Sequence, residues 1–172
     1  LHGIHLRLRE DGRWQLLAVN HGGRESVEFF EWLPATPPGL QWRGCVESPE
    51  NAYFNDVVAL PDGGFLASHM FSRSSQTWGA IKSLLGFDTG LVYRWGPDGG
   101  FTTLPTTAGP FPNGIEIAAD DQYFFLNLWS AGEVRKYSLA SGELVAVAQI
   151  QNPDNSSWHS NGRLLVASHR YD

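Results

Sequence analysis

A repeated pattern of short strands constrains this chain more than any other feature. Each copy reads as a polar residue, a strand of alternating apolar and polar side chains, a turn that carries Asp, Asn or Gly, and a more apolar strand. Four copies occur, at residues 2–21, 55–71, 113–129 and 154–169. A third strand follows the first three copies, in the segments SVEFFEW, GLVYRWG and GEVRKYS. A fourth strand is predicted in GLQWRGCVE, GFTTLPT and ELVAVAQI.

Four short strands repeated every few tens of residues predict an all-β fold, a β-propeller of four-stranded blades. The 172 residues hold about three blades and the start of a fourth, in the units 2–50, 55–110, 113–152 and 154–172. Three and a half blades do not close a ring, since closed propellers have about 4–8. We therefore expect either a segment of a longer single-chain propeller or copies that associate to close the ring.

The second unit is longer than the others because it contains residues 74–87, SSQTWGAIKSLLGF. Trp78, Ile81, Leu84 and Leu85 recur there at helical spacing, which predicts one short helical insertion. The plainer interpretation is a helix packed over the propeller. The alternative is a lid over a pocket, or a helix that faces a membrane weakly.

One polar residue begins the first strand of every unit, and we call this place the mouth position. The sequence assigns it to His2, Asn55, Asn113 and Asn155. Innermost strands of successive blades line the central channel of a propeller, so these side chains are expected to converge at one end of it. Amide carbonyls, with the carboxylate of Asp154, form a hard oxygen set that suits Ca²⁺ better than Zn²⁺. Asn is also common in turns, so a ring of turns without a metal stays open as the alternative.

Histidines stand at the ends of several predicted strands. His2 begins the first unit and His21 ends the partner strand of the same hairpin, so the two imidazoles are expected to lie near each other. His69 and His169 end the corresponding strands of the second and fourth units. A histidine at a strand end is most often a surface or hydrogen-bonding residue. Beside a bound cation and an apolar pocket it is also suited to be a general base, because its pKa lies near neutrality.

Composition and motifs argue against several function classes. The formal net charge is −6, and the 12 Lys and Arg residues are scattered, which argues against a nucleic acid or an anionic membrane as partner. No apolar run approaches the ~20 residues that span a bilayer. The sequence contains no GxSxG elbow, P-loop or HExxH motif. Cys45 is the single cysteine, so no disulfide forms within the chain.

Six segments carry a family resemblance: LHGI, LLAVNHGGRESVEFFEW, FNDVVAL, ASHMF, FPNGIEIAAD and PDN. In this order they resemble the paraoxonase/arylesterase family, which is related more distantly to gluconolactonase and strictosidine-synthase-like proteins. The resemblance covers nearly the whole chain. It implies a six-bladed propeller with two calcium ions in its central tunnel.

The resemblance also implies metal ligands. The residues that match the ligands of the catalytic calcium are Asn55, Asn113, Asp154 and Asn155. The second, structural calcium matches Asp56 and the backbone carbonyl of Ile4. Further acidic ligands in the family come from an N-terminal stretch that is absent from this sequence. Because calcium affinity falls with ligand charge, we expect weak binding unless association supplies the rest.

Catalytic and pocket residues follow from the same resemblance. His2 matches the proposed general base, and His21 matches its partner in a histidine dyad. Ser68, His69 and Phe111 match positions that line the pocket, where the family usually has an acidic residue at the place of Ser68. Together with Phe111, we expect Trp78 of the helical insertion to shape the apolar wall.

The resulting prediction is a calcium-dependent hydrolase of small lactones and aryl esters. Two alternatives remain open. One is a non-catalytic propeller that serves as an interaction platform. The other is a calcium propeller that hydrolyses sugar lactones, closer to gluconolactonase.

Overall fold

Antiparallel strands form most of the regular structure of residues 2–169, which are the ones that the computed structural model of the chain describes. The first sheet contains β1 (Ile4–Leu8), β2 (Trp14–Asn20), β3 (Ser26–Leu33) and β4 (Gly39–Glu47). The second contains β5 (Phe54–Ala59), β6 (Phe65–His69), β7 (Gly90–Gly96) and β8 (Gly100–Gly109). The third contains β9 (Pro112–Ile117), β10 (Tyr123–Leu128), β11 (Glu133–Ser138) and β12 (Leu144–Gln149), and a two-stranded sheet contains β13 (Pro153–Trp158) and β14 (Leu164–Ser168).

The order of strands in each sheet is the order along the chain. Every strand pairs antiparallel with the next one, so each sheet is a meander and no crossover joins two sheets. Consecutive four-stranded meanders of this kind are the blades of a β-propeller. The predicted fold class, a partial propeller with one short helical insertion, is confirmed. Residues 170–172, which end the fourth predicted unit, lie outside the described residues.

The core lies between neighbouring blades. One cluster of buried side chains, around Leu17, Phe54 and Phe65, joins the first and second blades. Another, around Leu66, Ile115 and Leu126, joins the second and third. The inner strands β5 and β9 are buried along their whole length, because a blade covers each of their faces. The side chains of these two strands therefore have little freedom to move.

The insertion forms a 3₁₀ turn (Arg73–Ser75) followed by the helix α1 (Gln76–Leu84). It lies on the propeller through small residues: Gly79 and Ser83 are buried, and a Cβ on Gly79 would come within 2.6 Å of the Cβ of Phe71. The predicted apolar face points away from the propeller instead. Trp78 is 57% exposed and Leu84 is 68% exposed. The helical spacing of apolar residues predicted that their face would pack on the propeller. The helix packs through the opposite face instead, because only glycine lets its backbone approach the ring of Phe71 this closely.

Side chains connect the first and third blades, which are not neighbours: Nε2 of His5 lies 3.6 Å from Oε1 of Glu116, and Arg7 pairs with Asp121. Arg7 on β1 donates two hydrogen bonds to Asp121, in the turn between β9 and β10, over 2.9 and 2.7 Å. Arg7 also donates to the carbonyl of Ala59 at the end of β5. The first three inner strands are thus joined at the end of the channel opposite the mouth positions.

No helix in the described part of the chain has the length and apolarity needed to cross a membrane.

Candidate metal and substrate site at the channel mouth

The same backbone irregularity occurs at the mouth of the second, third and fourth blades. In each inner hairpin, three steps along the inner strand are paired with two steps along its partner. This is a β-bulge, which bends the strand and redirects the side chains beside it. The bulges fall at residues 55–56, 113–114 and 154–155. A repeated bulge therefore marks the mouth position in each of these three blades.

The register corrects one assignment made from sequence. Asp154, not Asn155, takes the place that Asn55 and Asn113 occupy in their hairpins. Asn155 takes the following place, where the second blade has Asp56, and its residue is exposed. Pairing of Ile4 with Ala18 puts His2 at the mouth position of the first blade, as predicted. The sequence does not locate a bulge to one residue, because the strand alternation on either side of it is the same.

Asn55 and Asn113 are buried polar residues with unsatisfied oxygens. Each residue is 4% exposed. The amide nitrogen of Asn55 lies 3.1 Å from the sulfur of Met70, which leaves its Oδ1 as the free end. Neither Oδ1 has a hydrogen-bond partner among residues 2–169. Leaving a buried oxygen unpaired costs ~1–3 kcal/mol, and a hard cation would satisfy both oxygens.

Blade four contributes a carboxylate to the same end of the channel. Oδ2 of Asp154 lies 3.3 Å from Nε2 of His169, and the Asp154 side chain is 28% exposed. Within the described region no three His, Cys, Asp or Glu side chains gather as a metal cluster. The donor set is therefore rich in neutral amides with a single carboxylate, which fits a hard cation such as Ca²⁺ held with modest affinity.

The residues expected at a second, structural ion are differently placed. Asp56 is buried, and its two oxygens accept the backbone N–H groups of Val57 and Ile115 over 2.9 and 3.0 Å. Burial raises the pKa of Asp56 to about 7, against the opposing effect of these two hydrogen bonds. The side chain of Ile4 is 61% exposed. Both oxygens of Asp56 already accept hydrogen bonds. The unpaired oxygens of Asn55 and Asn113 therefore support the predicted catalytic ion site, and no such observation supports the structural one.

Hydrogen bonds link each blade to the mouth of the next. Gly3 donates its N–H to the carbonyl of Asn55 over 3.0 Å. Ser68 donates its hydroxyl to the carbonyl of Asn113, and Asn127 donates its amide to the carbonyl of Asp154. Ser68 is fully buried, so it holds the third blade from within the protein. Asn127 was missed from sequence because it looks like an ordinary inward residue of a strand.

The two mouth histidines lie in contact, as expected for a dyad. Nδ1 of His2 is 3.1 Å from Nε2 of His21, and their rings meet edge to face. Nδ1 of His21 is in turn 2.8 Å from Oε2 of Glu25. Burial, followed by the charge of His21, lowers the pKa of His2, so its imidazole is neutral at neutral pH. Glu25 was not predicted from sequence, although its place four residues after His21 in NHGGRE was a usable signal.

Aromatic rings form a continuous arc along this rim. Each ring touches the next, with centroid separations between 4.6 Å for His21 and Tyr53 and 6.4 Å for Trp129 and His169. In order, the arc contains His2, His21, Tyr53, Phe71, Phe111, Trp129 and His169. Tyr53 and Phe111 come two residues before Asn55 and Asn113, so the arc lies at the channel end that carries the amides. We call these seven residues the aromatic arc.

The predicted pocket residues divide between the arc and other places. Phe111 belongs to the arc and has a positive φ of 57°. Two hydrogen bonds hold it there: its N–H donates to the hydroxyl of Thr89, and its carbonyl accepts the N–H of Trp129. Such backbone strain in a non-glycine residue is frequent at functional sites. His69 accepts the N–H of Tyr53 over 3.0 Å and so supports the arc from below. Trp78 lies on the exposed face of α1, where the amine of Lys82 is 5.7 Å from its ring.

Comparisons with known proteins bear on the fold. No protein-family model matches the chain. Strictosidine synthase-like protein 3 of Arabidopsis thaliana is 32% identical over 107 residues, which are 58% of this chain and 27% of that protein. A gluconolactonase from Xanthomonas campestris superposes with a TM-score of 0.58 at 16% identity, over 95% of this chain and 55% of that one. Hydrazine synthase from Kuenenia stuttgartiensis gives 0.60 at 15% identity, over 98% and 58%.

These likenesses support the propeller fold, and the different activities named for the matched proteins show that the fold alone does not select a reaction. This chain spans little more than half of the two solved structures, and the matched segment spans 27% of the plant protein. Membership of the paraoxonase family stays a prediction.

Proposed function

We propose that this chain forms the mouth of a calcium-dependent hydrolase that acts on small lactones and aryl esters. One observation carries the proposal: two buried amide oxygens, on Asn55 and Asn113, have no donor among residues 2–169 and lie at the same end of the channel as the His2–His21 pair. A hydrolase needs an acceptor for the proton of water and a way to stabilise negative charge on the carbonyl oxygen. The mouth contains candidates for both.

His2 is suited to accept the proton of water. Its Nδ1 faces His21, so its Nε2 is the nitrogen that can face a substrate. Water attacks the carbonyl carbon as His2 takes its proton, the bond from that carbon to the ester oxygen breaks, and His2 returns the proton to the departing oxygen. Ca²⁺ bound by Asn55, Asn113, Asp154 and Asn155 would supply positive charge for the carbonyl oxygen.

The aromatic arc favours aryl and aliphatic substrates over sugar lactones. Tyr53, Phe71, Phe111 and Trp129 present ring surfaces, which bind apolar groups well and leave sugar hydroxyls without partners. The second candidate function is hydrolysis of sugar lactones, which the likeness to the Xanthomonas gluconolactonase supports. A non-catalytic platform is the third, and it would need neither a metal nor unpaired amides at the axis.

A calcium titration of the purified chain by calorimetry tests the metal site. We expect binding in the wild type and at least about tenfold weaker binding in Asn113→Ala, because the substitution removes one ligand oxygen. The exposed turn residue Asn161 provides the control, and Asn161→Ala should bind like the wild type. Equal binding by all three proteins would place the ion elsewhere and remove the basis of the proposal.

A substrate panel tests the chemistry. Phenyl acetate, δ-valerolactone and glucono-δ-lactone should be compared with and without a chelator. Turnover of the first two that the chelator abolishes supports the proposed function. Preference for glucono-δ-lactone would favour the sugar-lactone alternative, and calcium binding without any turnover would favour a platform.

A further inference from the structure

Glu25 has no role in any of the steps above, yet it touches two parts of the mouth. Its Oε2 lies 2.8 Å from Nδ1 of His21, and its Oε1 accepts the N–H of Phe54 over 3.2 Å. Phe54 directly precedes Asn55 on β5. Only 4% of the Glu25 side chain is exposed. A buried carboxylate in this place connects the histidine pair to the strand that carries an amide of the candidate metal site.

We infer that Glu25 is a positioning residue that fixes the proton arrangement of both histidines, so that Nε2 of His2 is the unprotonated base. The inference rests on the proposed function for its catalytic meaning, but its structural content stands apart from it. An ionised carboxylate only accepts hydrogen bonds, so Nδ1 of His21 must carry a proton. When its ring carries this one proton, Nε2 of His21 is an acceptor, and it accepts the hydrogen bond that protonated Nδ1 of His2 donates.

This chain of donors and acceptors leaves one nitrogen free. With its proton on Nδ1, the neutral ring of His2 has a lone pair on Nε2, the nitrogen that can face the channel. The proton taken from water goes to that atom and returns from it to the departing oxygen, so the other two residues end each cycle unchanged. Without Glu25, nothing in the described contacts of His21 selects this arrangement over the opposite one, in which both rings carry the proton on Nε2.

The substitution Glu25→Gln should reverse the direction of the hydrogen bonds that link residue 25, His21 and His2. The oxygen of the new side-chain amide is held by the N–H of Phe54, so its NH₂ group faces Nδ1 of His21. Because that group donates, His21 must carry its proton on Nε2 and His2 must accept on Nδ1. The proton of His2 then sits on Nε2, where the base is needed. A change of one carboxylate oxygen to nitrogen therefore removes the base without removing either histidine.

Nuclear magnetic resonance reads this arrangement directly. With ¹⁵N-labelled histidine, long-range couplings at pH 8 report which ring nitrogen carries the proton in each of the six histidines. His21→Gln and His2→Gln variants assign the two signals. We expect protonated Nδ1 for His2 and His21 in the wild type and protonated Nε2 for both in Glu25→Gln. Protonated Nε2 on His21 in the wild type would overturn the inference, and this measurement needs no folded variant of Glu25.

Glu28→Gln is the matched control. Glu28 is also a buried acid, three residues further along, and it bonds to Arg24, Ser26 and Trp42 rather than to either imidazole. Both histidines should keep the wild-type arrangement in this variant. If Glu28→Gln moves the protons as Glu25→Gln does, the effect comes from general loosening and the inference fails.

Kinetics separate this inference from the proposed function. On a substrate that the wild type hydrolyses, Glu25→Gln should lower kcat about 10²–10⁴-fold, the usual contribution of a general base, with KM and calcium affinity nearly unchanged. If no ester or lactone is turned over, the proposed function fails while the resonance experiment still decides the role of Glu25. If Glu25→Gln carries the proton on Nε2 of both histidines and its kcat is unchanged, His2 is not the base.

Discussion

At the scale of single residues, the interior of the channel holds an acid whose charge is costly. Asp56 is buried, and its pKa is raised to about 7, first by burial. The native protein therefore binds more protons at this site than the unfolded chain between about pH 4 and 7. Stability that depends on Asp56 is fully present below pH 4 and falls as pH rises through 7.

Removing this titration should flatten the stability profile of the metal-free protein. In EDTA, the wild type should lose about 2–3 kcal/mol of unfolding free energy between pH 5 and 8 from this group. Asp56→Asn should lack that loss, although its absolute stability changes as well. Urea unfolding at both pH values measures the difference. Exposed Asp98 is the control, and Asp98→Asn should lose as much unfolding free energy between the two pH values as the wild type. The same loss in Asp56→Asn would contradict the assignment of this titration to Asp56.

At the scale of elements, α1 shows how packing overrides helix propensity. Gly79 lies against Phe71, which stacks on Phe111 of the aromatic arc. Propensity alone predicts that Gly79→Ala stabilises the helix by ~1 kcal/mol. We expect the reverse, a loss of about 1–3 kcal/mol, because the new Cβ must displace the ring of Phe71.

Chemical denaturation measures this balance. Thr77→Ala, at an exposed position of the same helix, is the control and should be neutral or slightly stabilising. If Gly79→Ala raises stability as propensity predicts, the helix does not pack closely on Phe71.

The strands were predictable and their irregularities were not. Alternation and turn residues located β1 to β14, since a half-buried strand leaves a period-two pattern in any sequence. The bulge that puts Asp154 in the place of Asn113 leaves no such pattern, so the sequence assignment fell on Asn155. His2 and His21 were expected near each other because one hairpin joins them. Glu25 and Asn127 act through hydrogen bonds whose partners only the fold defines.

At the scale of the whole molecule, blades are joined by side chains as well as by packing. Arg7 and Asp121 connect the first blade to the third, with side chains 21% and 29% exposed. Paired guanidinium and carboxylate groups in such a partly buried place couple more strongly than surface pairs.

A double-mutant cycle tests this connection. With Arg7→Met and Asp121→Asn, we expect a coupling of about 1–3 kcal/mol in unfolding free energy. The matched cycle uses Arg94 and Asp62, a 2.7 Å pair within one blade whose side chains are 39% and 47% exposed. Its coupling should stay below about 1 kcal/mol. Equal couplings in the two cycles would mean that Arg7 adds nothing to the joining of blades.

The hydrogen bonds from Gly3, Ser68 and Asn127 to the next mouth carbonyl have a consequence for how such a protein evolves. Each of the first three blades carries both a mouth side chain and the donor that holds the mouth carbonyl of its successor, so duplicating a blade copies the two together. Ring size and the number of mouth side chains then change in step. If the mouth side chains bind a cation as proposed, a lineage of propellers alters the cation it selects by gaining or losing whole blades, without rebuilding the site residue by residue.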